Sequence, residues 1–347
     1  MGRRLLGAWA AALLPLAAGA VTIDLVTVGD PGNVSDPLNT NAVPGIGSVG
    51  YAYSIGKFEV TNTNYVEFLN AVAAFGDTYG LYNANMDSNA RGGIARTGSG
   101  TLGDPYVYSS KADMGDKPVN YVSFYDAVRF VNWLENGQPT GTNQVAGVTE
   151  TGSYTLFTDG GSTTNVGARA GSATWVIPTE NEWYKAAYHQ PSGSGGPGDS
   201  YWLYPTQSDG VPTVGLADGT GSITNDGSNV ANYNFGADWN GQDGNVTTVG
   251  SAGASSDSYY GTFDQAGNVR EWNETIVSGT SRILRGGAWL SSAANLESSD
   301  RLTSSPLSEL SVNGFRVAAI PEPGSLVVLG VAALAAGVWG RRFRRRP

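Results

Sequence analysis

Residues 261–274 read GTFDQAGNVREWNE and form the densest polar–aromatic cluster of the chain. A turn at Gly267-Asn268 runs into a strand, GNVREWNE, and two further strands follow in SRILRGGAW (281–289) and NGFRVAAI (313–320). Upstream lies the short strand ATWVIP (173–178), then Thr179-Glu180-Asn181-Glu182. That quartet is a capping box: Thr179 can accept from the Glu182 backbone while the Glu182 side chain reaches back, so a two-turn helix starts there. Ser123 and Asp126 repeat the pattern before a second helix, whose Phe124, Val128, Val131 and Leu134 share one face. A third helix opens at Thr61 or Thr63 after a strand ending at Val60, with Tyr65, Phe68, Leu69 and Val72 at helical spacing. The stretches 76–116, 137–172 and 191–258 are polar and glycine-rich, without periodicity. A loop as long as the last is either disordered or functional. Short helices among scattered strands indicate one α+β domain with little regular secondary structure.

The composition agrees. The 347 residues are 40% apolar, enough for a core, and 49 are glycine, about twice the usual share. With no cysteine, thiol nucleophiles, disulfides and thiolate metal sites are excluded. One histidine, His189, rules out multi-histidine metal sites, and its place between a helix and a polar loop predicts an ordinary surface residue. The remaining ligand chemistry is that of oxygen, which suits calcium.

Both ends read as addresses. Residues 1–20, MGRRLLGAWAAALLPLAAGA, have the basic start, apolar run and A-x-A end of a secretory signal peptide. The other end carries Pro321-Glu322-Pro323, an apolar helix over 325–340 and five arginines within 341–346. Sixteen residues fall slightly short of the ~20 that span a bilayer, and the arginines favour the cytoplasmic side. This tail resembles the PEP-CTERM sorting signal. The resemblance implies recognition and removal by an exosortase, after a transient inner-membrane stage, in a Gram-negative bacterium that makes extracellular polysaccharide. Between the ends, residues 21–320 hold 13 basic and 29 acidic side chains, a net of −16. Such a surface repels nucleic acid and suits a protein of the cell surface or extracellular matrix.

Taken in order, IGKFEVTNTNYVEFLNAV, KPVNYVSFYDAVRFVNWL, IPTENEWYKAAYH, GTFDQAGNVREWNE, LRGGAW and NGFRVA resemble successive blocks of the formylglycine-generating enzyme (sulfatase-modifying factor) domain family. The resemblance places an N-terminal strand and linker at 21–44, the domain at 45–320 and the sorting signal at 321–347. It implies a C-type-lectin-like α+β fold. It also implies a calcium held by Gly267, Asn268, Val269 and Glu271, and a second by Asn232, the Tyr233 carbonyl and Asp243 or Asp238. Without calcium, Asn268 caps the turn and Glu271 pairs with an arginine such as Arg285.

The departures decide the chemistry. In the family's catalytic members two cysteines after the Arg-Gly-Gly turn bind copper and oxidise a substrate cysteine. Here those places are Ser291 and Leu296, and neither can hold Cu(I), which wants soft thiolates. Val176 stands where an arginine is usual. No catalytic residue and no copper are therefore expected. Arg285-Gly286-Gly287 is expected to be structural, Trp272 and Trp289 to be core or floor, and Glu180 and Glu182 to serve the helix start. The reading is an exported, non-catalytic module binding an exopolysaccharide or exported protein, with exposed tryptophans available for sugar rings. The alternative is a metal-dependent oxidoreductase of the superfamily working without cysteine ligands. A hydrolase built on Ser291 and His189 is a third.

Overall fold

The three longer helices begin where the sequence supplies a side-chain cap for backbone N–H groups that the helix leaves unpaired. In the computed structural model, which describes residues 20–39, 44–141, 143–159 and 162–321, Thr61 closes a capping box with Asn64 and opens α1 (Asn62–Val72). A single turn, α2 (Asn85–Ser88), follows. Ser123 with Asp126 opens α3 (Phe124–Glu135), and Thr179 with Glu182 opens α4 (Glu180–Tyr188). The apolar faces of α1 and α3 are buried as their spacing predicts. Phe68 and Phe130 meet edge to face at 5.4 Å, and Phe130 meets Phe315 at 5.5 Å, so aromatic rings from three segments close one core.

The strands are short. In chain order they begin with β1 (Leu25–Val28), β2 (Tyr53–Gly56), β3 (Ile94–Thr97), β4 (Val107–Ser110), β5 (Leu156–Asp159) and β6 (Ser162–Val166). Then come β7 (Trp175–Val176), β8 (Thr213–Val214), β9 (Val230–Ala231), β10 (Arg270–Ser278) and β11 (Ser281–Arg285). The last are β12 (Leu302–Ser304), β13 (Asn313–Gly314) and β14 (Ala318–Ala319). One sheet has the order β1-β2-β14-β7, the other β12-β11-β10-β13, and three two-stranded pairs complete the set.

Three departures from the sequence reading have physical causes. NGFRVAAI is not one strand: β13 runs parallel to β10 and β14 antiparallel to β2, so Phe315-Arg316-Val317 carry the chain from one sheet to the other. The hairpins β3–β4 and β5–β6 lie in stretches expected to be irregular, because strands of four or five residues with their apolar side chains at one end leave no apolar alternation to read. The strand placed before residue 45 pairs with β2 across four registers and is thus part of the domain's own sheet.

The 191–258 segment has one two-residue ladder, β8–β9, and is otherwise held by side chains. Asp218 accepts from the Thr220 and Ser222 backbone, and Asn225 joins the Leu216 N–H to the Val214 carbonyl, so side chains replace strand partners. Among the described residues no helix is long and apolar enough to cross a membrane. The expected signal peptide, up to residue 19, and the sorting tail, from 322, lie outside the described residues.

Candidate functional site

Two glycines build the turn after β11. Gly286 and Gly287 have φ of +95° and +71°; a Cβ on the first would meet the Gln265 carbonyl at 2.7 Å, and one on the second the Leu296 Cδ1 at 2.8 Å. Arg285 anchors the turn from beneath. Its Nε and Nη2 donate to Glu180 Oε1 at 2.9 and 2.6 Å, and Nη1 to the Ser298 and Asp300 carbonyls at 2.9 and 2.5 Å. Arg301 donates to the other Glu180 oxygen at 2.7 Å. Glu180 is therefore a buried counter-charge for two arginines, as well as a first-turn acid that suits the helix dipole.

Glu182 keeps its place in the capping box and takes Arg169 on both oxygens, at 3.0 and 2.9 Å. Burial opposes its ionisation, but the Arg169 guanidinium outweighs that and holds the carboxyl below its ordinary value. Arg169 also reaches Glu274 at 3.1 Å. This arginine lies in a stretch read as irregular, and no sequence signal marked it.

Ser291 and Leu296 are both buried. The Ser291 hydroxyl accepts from the Ala288 N–H at 3.0 Å and from Arg270 at 3.2 Å. Leu296 packs in an apolar cluster with Tyr204, Ala231, Tyr233 and Ala266. One position is thus a turn brace and the other a core residue.

The turn at Gly267-Asn268 is equally constrained. Gly267 has φ +94°, and a Cβ there would lie 2.1 Å from the Asn232 carbonyl. Asn268 takes φ +58°; its Oδ1 accepts from Thr247 N–H at 2.9 Å and from Asn232 Nδ2 at 3.2 Å, while its Nδ2 donates to Glu59 Oε1 at 3.2 Å. Its carbonyl accepts from Trp289 N–H at 2.9 Å. Glu271 pairs with Arg316, not with Arg285: Nε and Nη2 donate at 2.5 and 2.7 Å, and Trp183 Nε1 adds a third bond at 2.7 Å. The pair is wholly buried beside Glu59 and Asp264. Burial, then the neighbouring Asp264, pushes Glu59 well above the usual carboxylate range. Burial pushes Asp264 up to about 6.

These contacts test the expected calcium shells. In the first, the Asn268 oxygen and both Glu271 oxygens already accept protein hydrogen bonds, and Arg316 supplies the positive charge. In the second, Asn232 Oδ1 is a buried oxygen with no hydrogen-bond partner, which suits a cation. Its companions do not: the Tyr233 carbonyl accepts from Gly236 N–H at 3.1 Å, and the Asp243 side chain is exposed. Arg91 donates to the Asp243 and Gly244 carbonyls at 2.8 and 2.9 Å, so a guanidinium already faces that loop. Asp238 is exposed and accepts from Gly244 N–H at 2.8 Å. As arranged, neither set fits a calcium shell, which takes six to eight oxygens.

His189 corrects the sequence reading. It is 3% exposed, the C-cap of α4, with Nδ1 2.8 Å from the Tyr260 hydroxyl and Nε2 3.5 Å from Asp30. Burial and the nearby Lys185 push it down to about 4. The cause lies in Tyr201 and Tyr260, distant in sequence, which cover the imidazole. No hydrogen bond joins His189 to Ser291, so the hydrolase pairing has no geometry behind it. Trp133, Trp183, Trp239, Trp272 and Trp289 are all buried and Trp175 and Trp202 half-buried; among the described residues the exposed aromatic rings are Phe157, Phe235 and Tyr259.

The model of the sulfatase-modifying factor enzyme 1-like domain matches residues 25–320. Among solved structures, Treponema denticola variable protein 1 aligns at 18% identity and TM-score 0.47, over 88% of this chain and 98% of its own. CarF aligns at 21% identity and TM-score 0.49, over 87% and 99%. PvdO from Pseudomonas aeruginosa aligns at 15% and 0.42, over 86% and 92%. No curated protein matches.

Proposed function

This chain belongs to the sulfatase-modifying factor enzyme 1-like domain family, and we propose that it is a non-catalytic, exported member acting as a binding protein of the extracellular matrix. The observation that carries the reading is the turn Arg285–Leu296. Its glycines, anchoring arginine and tryptophan floor are kept, while Ser291 and Leu296 stand at the thiol positions, one bracing the backbone and the other filling the core. A buried hydroxyl and a leucine offer no soft ligand pair for Cu(I). The 191–258 segment, fixed by its own side chains, adds a large polar surface to the same domain. The basic, apolar leader and the Pro-Glu-Pro tail support export with exosortase processing, and the acidic surface supports an aqueous extracellular setting.

The test is co-sedimentation and titration of the purified protein with the producer's exopolysaccharide and with its co-exported proteins. Micromolar or tighter binding to one of them is the expected result. Oxidation of a cysteine-bearing sulfatase peptide by the copper-loaded protein, or no binding to any matrix component, would overturn the reading.

A further inference from the structure

Asn234 and Phe235 are consecutive residues in the left-handed region, at φ +53° and +59°. Asparagine tolerates that conformation; a bulky side chain does so only against steric resistance. Among the described residues, the other large aromatic at positive φ is Tyr121, which is buried. Phe235 is instead 44% exposed. Two unfavourable features thus coincide, a strained backbone and an apolar ring left in water. A turn alone would be served better by glycine or asparagine.

The surroundings hold the ring rigidly. Asn234 N–H donates to the Ser291 carbonyl at 2.9 Å and Phe235 N–H to the Trp289 carbonyl at 2.8 Å, so the pair is tied to the turn after β11. The Phe235 ring stands edge to face with Trp289 at 5.6 Å and 80°. Arg91 lies over the same indole at 4.2 Å, bonded to the Asp243 and Gly244 carbonyls. A Cβ on Gly244 would approach Phe235 Cα to 2.8 Å and Trp289 Cε3 to 3.0 Å, so the loop is closed tightly behind the ring. Strain held in place by its surroundings is a mark of a contact site.

We propose that Phe235, with the exposed Asn234 amide beside it, is a stacking platform for a pyranose ring of a neutral polysaccharide. The inference rests on the binding role proposed above and names its ligand class. A sugar presents one face of C–H groups to an aromatic ring, and its hydroxyls both donate and accept, as a carboxamide does. The net of −16 over residues 21–320 disfavours anionic glycans.

The experiment titrates the purified protein with cellohexaose, laminarihexaose and dextran as neutral probes and alginate as the anionic one. At least one neutral glycan binds the wild type, about tenfold more weakly after Phe235→Asn, as for a contact at an interface centre. Phe235→Trp retains binding. Phe235→Asn melts no lower than wild type, since asparagine fits φ +59° better, so loss of binding is not loss of fold. Equal binding by wild type and Phe235→Asn overturns the platform and leaves the matrix-binding role standing. Binding to alginate alone overturns the ligand class. No binding to any glycan overturns the platform, and the broader reading falls with it only if exopolysaccharide and co-exported proteins are also ignored.

Discussion

Replacing Arg316 by methionine is the most severe test of how this domain is held together. Arg316 is fully buried between β13 and β14, where the chain leaves one sheet for the other. It donates twice to Glu271, and to the Gly56 and Phe263 carbonyls at 2.9 and 2.8 Å. Methionine fills much of the volume and removes every one of these bonds. Glu271 is then left with Trp183 as side-chain donor, near the buried Glu59 and the half-buried Asp264. Breaking a buried ion pair from one side costs about 3–5 kcal/mol, because the remaining charge is stranded. For a domain of about 300 residues that lowers Tm by roughly 5–8 °C. Calorimetry and urea unfolding of wild type, Arg316→Met, Glu271→Gln and the double variant measure it. The double variant should be more stable than the sum of the single losses predicts. A loss below about 1 kcal/mol, the scale of an exposed pair, would refute the argument.

Asp264, pushed up to about 6 by burial, binds its proton more tightly folded than unfolded, where the carboxyl lies near 3.9. Its contribution is therefore fully present below the unfolded value and lost as pH rises through about 6. Wild type should gain about 1 kcal/mol over Asp264→Asn between pH 8 and 5 in paired urea melts; parallel pH curves would contradict this. His189 has the opposite sign. With a folded value of about 4 against an unfolded value near 6.5, it removes stability as pH falls through that window, and His189→Gln should flatten the loss. Melts in calcium and in chelator should coincide within about a degree, since mass action stabilises only a fold that binds the ion. A calcium-dependent rise of several degrees would show that Asn232 Oδ1 has found enough companions to hold one.

Local chemistry was legible, and long-range partnership was not. Thr179 and Glu182 lie three residues apart and Ser123 and Asp126 likewise, so their reciprocal bonds follow from spacing alone. Glu271 and Arg316 are separated by 45 residues and Arg285 and Glu180 by 105, so a sequence shows that each charge needs a partner but not which. Glu59 and Asp264 left even less trace, because nothing in EVT or FDQ says that the two acids will act on each other. The Ser291 and Leu296 substitutions could be read by counting from Arg285; that one braces and the other packs could not.

The place of β14 has a consequence for biosynthesis. It lies between β2 and β7, so the first sheet remains a hairpin and a detached strand until residues 318 and 319 exist. β13 completes the other sheet only a few residues earlier. The domain therefore cannot close either sheet until β13 and β14 have been made. Almost the whole length of the domain must be made before the two sheets close, and its final strand is the one that joins β2 to β7.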